Sequence, residues 1–309
     1  MKILVTGGAG FIGSHVVDAF VAAGHDVLVV DDLSTGKREN LNPKARFFEL
    51  DILDPATADL IRDERPDVLD HHAAQMDVRR SVADPLSDAR TNILGTIALL
   101  EAARQARVRR VLLVSSGGAA YGEQQTFPAP ETHPTWPVSP YGVSKRAGEL
   151  YGFVYQSADG MPFLAFRYAN VYGPRQDPHG EAGVVAIFSG RMLRGEPVTV
   201  YGEGTQTRDY VYVGDVARAN LLALERDVRG PLNIGTGVET DVTTLARHVQ
   251  AVAGGRSEVR HAPARPGEQQ RSVVDISRAA TELGWRPEVS LADGLRRTVD
   301  FFRTRAAGA

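Results

Sequence analysis

Five short apolar runs punctuate the first half of the chain: "KILVTG", "DVLVVDD", "ARFFELDI", "PDVLDHHAA" and "RRVLLVSS". Consecutive rather than alternating apolar positions suit strands buried on both faces, as in a parallel sheet. Between them, "FIGSHVVDAFVAAG" has helical spacing and stops at Gly24, and "PLSDARTNILGTIALLEAARQA" predicts one long helix. The alternation predicts an α/β fold with a doubly wound parallel sheet. After "FLAFRYANVYGPRQ" the regularity weakens, and "GPRQDPHGEAG" and "YGEGTQTRDY" predict polar, glycine-rich loops. The expected division is residues 1–172, rejoined by a segment near 211–236, and a smaller α/β lobe of 173–210 and 237–309. Ligands of an open α/β sheet bind beyond the carboxyl ends of its strands.

Composition narrows the chemistry. The 309 residues are 43% hydrophobic and 24% charged, with a net charge of −3. That balance implies no broad attraction to nucleic acid or to an anionic membrane. With no cysteine, disulfides, thiolate nucleophiles and cysteine zinc sites are excluded, and a reducing, cytoplasmic setting fits. No apolar run approaches the roughly 20 residues of a membrane helix. "MKILVTGGAG" is too short and too glycine-broken for a signal sequence.

"VTGGAGFIG" closes the first strand and opens the first helix, with Gly7, Gly10 and Gly13 three apart and Phe11 and Ile12 between the last two. Residues without Cβ let backbone N–H groups approach a pyrophosphate at a helix N-terminus. Asp31 ends the second strand 18 residues after Gly13. Its carboxylate suits the two adenosine ribose hydroxyls and repels a 2′-phosphate, favouring NAD over NADP. Lys37 and Arg38 leave an opening for NADP, and a solvated strand end is the plain alternative for Asp31 and Asp32. Asp51, expected to end the third strand beside Ile52, suits the adenine amino group. Ala73 and Ala74 after the fourth strand are small enough to let a dinucleotide pass. His71 and His72 point to opposite faces of a strand, which argues against one shared metal ion.

In "SPYGVSKRAGE", Tyr141 and Lys145 stand one helical turn apart on a shared face. Pro140 suits a helix start. A phenol of pKa about 10 is a poor base at neutral pH, but an adjacent ammonium and a positive nicotinamide ring are expected to lower it. Tyr141 then takes a hydroxyl proton while hydride leaves the same carbon for the cofactor. Alone, such a pair is an ordinary helix face; the cradle and "LLVSS" give it the catalytic reading.

These residues, with "DDLSTGKREN", "HHAAQ", "TNILGT", "SSGGAAYGE", "RYANVYGPRQDP", "GEGTQTRDYVYV", "NIGTG" and "RPGE", make the chain similar to the extended short-chain dehydrogenase/reductases. Within them it resembles the UDP-glucose 4-epimerases over nearly its whole length. The resemblance implies a Rossmann domain, bound NAD and reversible 4-epimerisation of a UDP-hexose through a 4-keto sugar. It places Ser34, Thr35, Gly36, Gln75, Asn92, Ser115 and Tyr168 beside the cofactor, with Lys145 also holding the nicotinamide ribose. It places Asn170, Arg208 and Arg265 at the substrate diphosphate, Thr199 and Tyr201 at the uracil, and Glu268 at the uridine ribose. The guanidinium fork suits phosphate oxygens, whereas either arginine alone reads as a surface residue.

Five positions depart from patterns seen in relatives. The family's third hydroxyl residue is Gly117 here, so Ser116 is the candidate replacement, with a strand-end serine bonded to backbone as the alternative. Related dehydratases and decarboxylases carry an acid where this chain has Gly118 and Ala119, which favours epimerisation. Ser272, where a bulky tyrosine narrows the sugar pocket in some relatives, and Gly183 beside Val184, where others use asparagine, leave room for an N-acetyl group. Other readings are an epimerase of uronic acids or dTDP-sugars, and a silent dinucleotide-binding relative. The resemblance also implies a homodimer formed by the segments 85–106 and that beginning at Tyr141. The apolar excess of "ILGTIALLEAA" suits either a partner helix or deep burial.

Overall fold

A computed structural model describes residues 1–178, 183–255, 257–264 and 269–307. Its strands are β1 (Lys2–Thr6), β2 (Asp26–Val30), β3 (Arg46–Phe48), β4 (Val68–His71), β5 (Arg110–Ser116), β6 (Phe163–Tyr168), β7 (Asn170–Tyr172), β8 (Val198–Tyr201), β9 (Thr207–Tyr212), β10 (Gly230–Ile234), β11 (Glu239–Asp241) and β12 (Val259–Ala262). The helices are α1 (Phe11–Ala22), α2 (Pro55–Glu64), α3 (Val78–Ala83), α4 (Pro85–Ala89), α5 (Gly95–Ala106), α6 (Pro140–Asp159), α7 (Val184–Leu193), α8 (Val213–Ala223), α9 (Val242–Ala253) and α10 (Leu291–Ala307).

Seven strands form one sheet in the order β10-β6-β5-β4-β1-β2-β3, every neighbouring pair parallel. The sheet is doubly wound: strand order runs outward both ways from β1, as right-handed βαβ crossovers require. Two apolar layers cover it. Val5, Val16, Val17, Phe166, Val216 and Trp285 fill one face. Leu4, Leu69, Leu99, Leu100, Leu113 and Phe163 fill the other. After β6 the chain leaves the sheet, and it returns at β10 beside β6. Outside the sheet, β11-β9-β7 and β12-β8 form small sheets, with α7, α9 and α10 packed in a third apolar cluster. No helix among the described residues is long and apolar enough to cross a membrane.

Two elements differ from the sequence expectation. The long helix over 85–106 is broken: α4 ends at Ala89, a π-helical turn spans Arg90–Leu94, and α5 starts at Gly95. The wide turn seats the Asn92 carboxamide among Gln75, Asp88 and Ser144, and such turns recur where a side chain has a task. The third strand ends at Phe48, so Asp51 stands in a turn, where its carboxylate accepts from Leu53 N at 2.8 Å.

Candidate active site

The glycine turn is shaped by contact rather than by flexibility alone. Gly7 has φ +70°, and a Cβ there would meet Ala73 N at 2.5 Å; a Cβ on Gly13 would meet Gly7 O at 2.2 Å. A side chain at Gly7 would collide with the segment after β4, and one at Gly13 with the turn itself. Asp31 completes it: Oδ2 accepts from Ala9 N and Oδ1 from Leu33 N, both at 2.9 Å. Burial pushes this carboxyl above its usual value, the two backbone bonds pull it down and Asp32 adds to the rise. Each oxygen keeps a lone pair, as an acceptor for ribose hydroxyls must. Ser34 turns its hydroxyl onto Asp32 at 2.6 Å. Thr35 is exposed and Ile52 buried, while Gly36 lies against the Asp31 carboxylate. The cradle, Asp31 and the small Ala73 and Ala74 fit a dinucleotide.

Helix α6 carries the reactive pair. Ser139 caps it, accepting from Gly142 N at 3.1 Å, and Pro140 occupies the first turn. Tyr141 N donates to Ser81 Oγ, which fixes the helix start against α3. Lys145 is buried, donates to Val114 O at 3.1 Å and lies 5.8 Å from the centre of the Tyr141 ring. Ala73, Asn92, Thr96, Ser144 and Lys145 line one recess.

The protein's own groups do not by themselves acidify Tyr141. The ring is partly exposed, but its hydroxyl lies deep. Burial and then Asp88 push the phenol up to about 12, while a hydrogen bond with Ser116 pulls it back. Burial lowers Lys145 to about 8, against the opposing pull of Asp88. Desolvation disfavours both charged forms.

Ser116 is thus placed at the phenol, and its Oγ also accepts from Ala119 N at 3.1 Å. Ser115 points the other way: its hydroxyl donates to Glu149 at 2.6 Å inside the fold, so only its backbone is left to serve a cofactor. Tyr168 turns its ring away from Ser116. Its phenol is buried under the sheet and accepts from Asn220 Nδ2 at 2.6 Å, while its carbonyl accepts from Gly117 N. Successive strand residues alternate faces, which separates Ser115 from Ser116 and sends the Tyr168 ring into the core. His71 bonds Thr6 and Thr96; burial first, then Lys145 and His72, lower it to about 3. His72 faces Asp70 at 3.1 Å.

The residues expected at the substrate lie mostly on the small sheets and α7. Asn170 lies on β7, Thr199 and Tyr201 on β8, and Arg208 on β9 with Nη1 donating to Thr207 O. Gly183 precedes α7, which Val184 opens. Ser272 is buried, with Oγ 3.8 Å from where a Gly118 Cβ would stand and Ser116 Oγ 4.0 Å from it. Arg265 and Glu268 lie outside the described residues. Asp88 was not singled out in the sequence, because an acid on a helix reads as a solvated surface group. Here it is buried and bonded to Gln75 and Asn92.

A glycine cradle at the first strand, an acid at the second and a Tyr–Lys pair on α6 define a nicotinamide-dinucleotide enzyme of the short-chain dehydrogenase type. The chain belongs to the NAD dependent epimerase/dehydratase family, whose model matches residues 3–235. A UDP-glucose 4-epimerase of Mycolicibacterium smegmatis is 46% identical over 99% of this chain and 100% of its own. The crystal structure of a Thermotoga maritima UDP-glucose 4-epimerase with UDP-glucose superposes with TM-score 0.97 at 49% identity, covering 99% of this chain and 100% of that one. A Thermus thermophilus UDP-glucose 4-epimerase in complex with NAD gives TM-score 0.94 at 48% identity, covering 98% and 99%.

Proposed function

We infer that this protein is an NAD-dependent isomerase that interconverts UDP-glucose and UDP-galactose. The observation that carries the reading is the Ser116–Tyr141 hydrogen bond beside Lys145, in a chain of this family with Gly118 and Ala119 where dehydratases and decarboxylases carry an acid. NAD supplies a reversible hydride acceptor for the sugar C4 and, when oxidised, a positive ring. Gly7, Gly10, Phe11, Ile12 and Gly13 hold its pyrophosphate, and Asp31 holds its adenosine ribose. Tyr141 takes and returns the proton of the sugar 4-hydroxyl. Ser116 holds the phenol oxygen by its hydrogen bond and favours the phenolate. Lys145, fixed on Val114 O, keeps a positive charge near the ring.

Residues 1–172 with 211–236 are assigned to cofactor binding, and the remainder to the nucleotide sugar. Asn170, Val184, Thr199, Tyr201, Arg208, Arg265 and Glu268 are assigned to the UDP moiety. The small Ser272 and Gly183 favour acceptance of UDP-N-acetylglucosamine as a second substrate. A cytoplasmic location is part of this reading, and cell fractionation checks it.

A homodimer is also proposed. α6 exposes Val143, Leu150, Phe153 and Val154, and the neighbouring α4 and π turn expose Leu86 and Leu94. An apolar face shared by adjacent helices suits a second copy of the same face. Leu99, Leu100, Ala102 and Ala103 of α5 are instead used in the core.

Incubation of the purified protein with each UDP-hexose and its N-acetyl form, followed by chromatographic separation, tests the activity. Interconversion is expected, falling by about 10²–10⁴ in Tyr141→Phe, the range of a general base. Equal turnover by Tyr141→Phe would refute the mechanism. Absence of any N-acetyl product while UDP-glucose turns over would refute the wider specificity.

A further inference from the structure

Asp88 is a buried carboxylate, 1% exposed, at the end of α4. Its Oδ1 accepts from Gln75 Nε2 at 2.9 Å and from Asn92 Nδ2 at 3.1 Å. Asn92 is locked further by two exchanges with the Gln75 backbone, both 2.9 Å, and by Ser144 Oγ at 3.1 Å. Ser144 donates to Tyr141 O at 2.9 Å. A hydrogen-bonded chain therefore runs from the carboxylate to the backbone of the helix turn that bears Tyr141 and Lys145. No ion pair of Asp88 occurs among the described residues, and the side-chain hydrogen bonds to its carboxylate come from carboxamides.

We propose that Asp88 is a positioning residue: its buried carboxylate stands one carboxamide behind the recess that Asn92 and Lys145 share, and its hydrogen bonds fix Gln75, Asn92 and, through Ser144, the turn that bears Tyr141. A buried ammonium loses several kcal/mol of hydration and tends to shed its proton. A negative group nearby offsets that loss. The same charge opposes formation of the Tyr141 phenolate. The directions agree: Asp88 raises both groups. Other ionisable groups facing α6 are otherwise engaged. His71 on β4 is neutral at working pH. Glu149 pairs with Arg146 and Arg167, and Glu101 with Arg104 and Tyr155. Around α4, Arg79, Arg80 and Arg90 are at the exposed rim.

The proposal deepens the reading of the Tyr141–Lys145 pair, and one measurement needs no turnover. Acylation of Lys145 by a small anhydride, followed against pH by peptide mass spectrometry, reports its protonation directly. In Asp88→Asn the midpoint is expected to fall from about 8 by about one pH unit, a tenfold change in the proton equilibrium. Both limbs of the kcat/KM profile shift in the same acid direction, and Asp88→Glu restores the wild-type positions. An unmoved Lys145 midpoint, or an equal shift in Asp88→Glu, overturns the proposal. Where the amide variant does not fold, Asp88→Ser is measured instead. Failure of both neutral variants to fold makes Asp88 a purely structural residue and also overturns it. A moved midpoint in a protein without epimerase activity would leave this inference standing and sink the functional reading.

Discussion

A Cβ on Gly117 would stand 2.9 Å from Cγ1 of Val274, and 3.1 and 3.3 Å from the carbonyl oxygens of Arg167 and Tyr168. The position of the family's third hydroxyl is thus closed by a side chain far along the chain. Gly117→Ser is expected to cost about 1–3 kcal/mol by overpacking. Val274→Ala, which removes the nearest atom, should recover part of that cost. A double-mutant cycle from denaturant midpoints measures the coupling; strictly additive effects would show that the contact does not matter.

The Ser116 hydroxyl is the group that pulls Tyr141 down. In Ser116→Ala the phenol therefore rises, and the base stays protonated to higher pH. The acid limb of kcat/KM should move upward in pH, with kcat reduced at neutral pH. Wild-type turnover at saturating substrate, with an unmoved acid limb, would remove Ser116 from the mechanism.

Glu149 accepts from Arg167 at 2.9 and 2.7 Å, from Arg146 at 2.8 Å and from Ser115 at 2.6 Å. Burial pushes its carboxyl up, but Arg167, Ser115 and Arg146 outweigh that and hold it below the ordinary 4.5. Breaking such a buried pair costs about 3–5 kcal/mol, so Glu149→Gln should unfold at much lower denaturant. A depressed pKa contributes stability above the unfolded value and loses it as pH falls through the folded one. The gap between wild type and variant should be full at neutral pH and shrink progressively below about 4.5. A gap independent of pH would mean that the charge contributes nothing.

Phe153 is 61% exposed on α6 and Leu86 83% exposed on α4. A single aspartate at Phe153 should convert a dimer to a monomer in sedimentation-velocity runs at micromolar protein. A wild-type monomer under the same conditions would rule the homodimer out.

Much of this protein was legible in its residues alone. Consecutive apolar positions gave the parallel strands, because burial on both faces leaves no polar register to read. The glycine spacing, Asp31 and the four-residue Tyr141–Lys145 step are local patterns, fixed within a turn or two of chain. The three-dimensional packing decided what local pattern does not carry. It chose which face of β5 and β6 each side chain takes, sending Ser115 to Glu149 and Tyr168 to Asn220 while leaving Ser116 on Tyr141. It buried Asp88 and set Val274 against Gly117 across more than half the chain. Periodicity specifies which residues leave water; only the assembled fold specifies which partners they meet there, and charge inside a protein is governed by those partners.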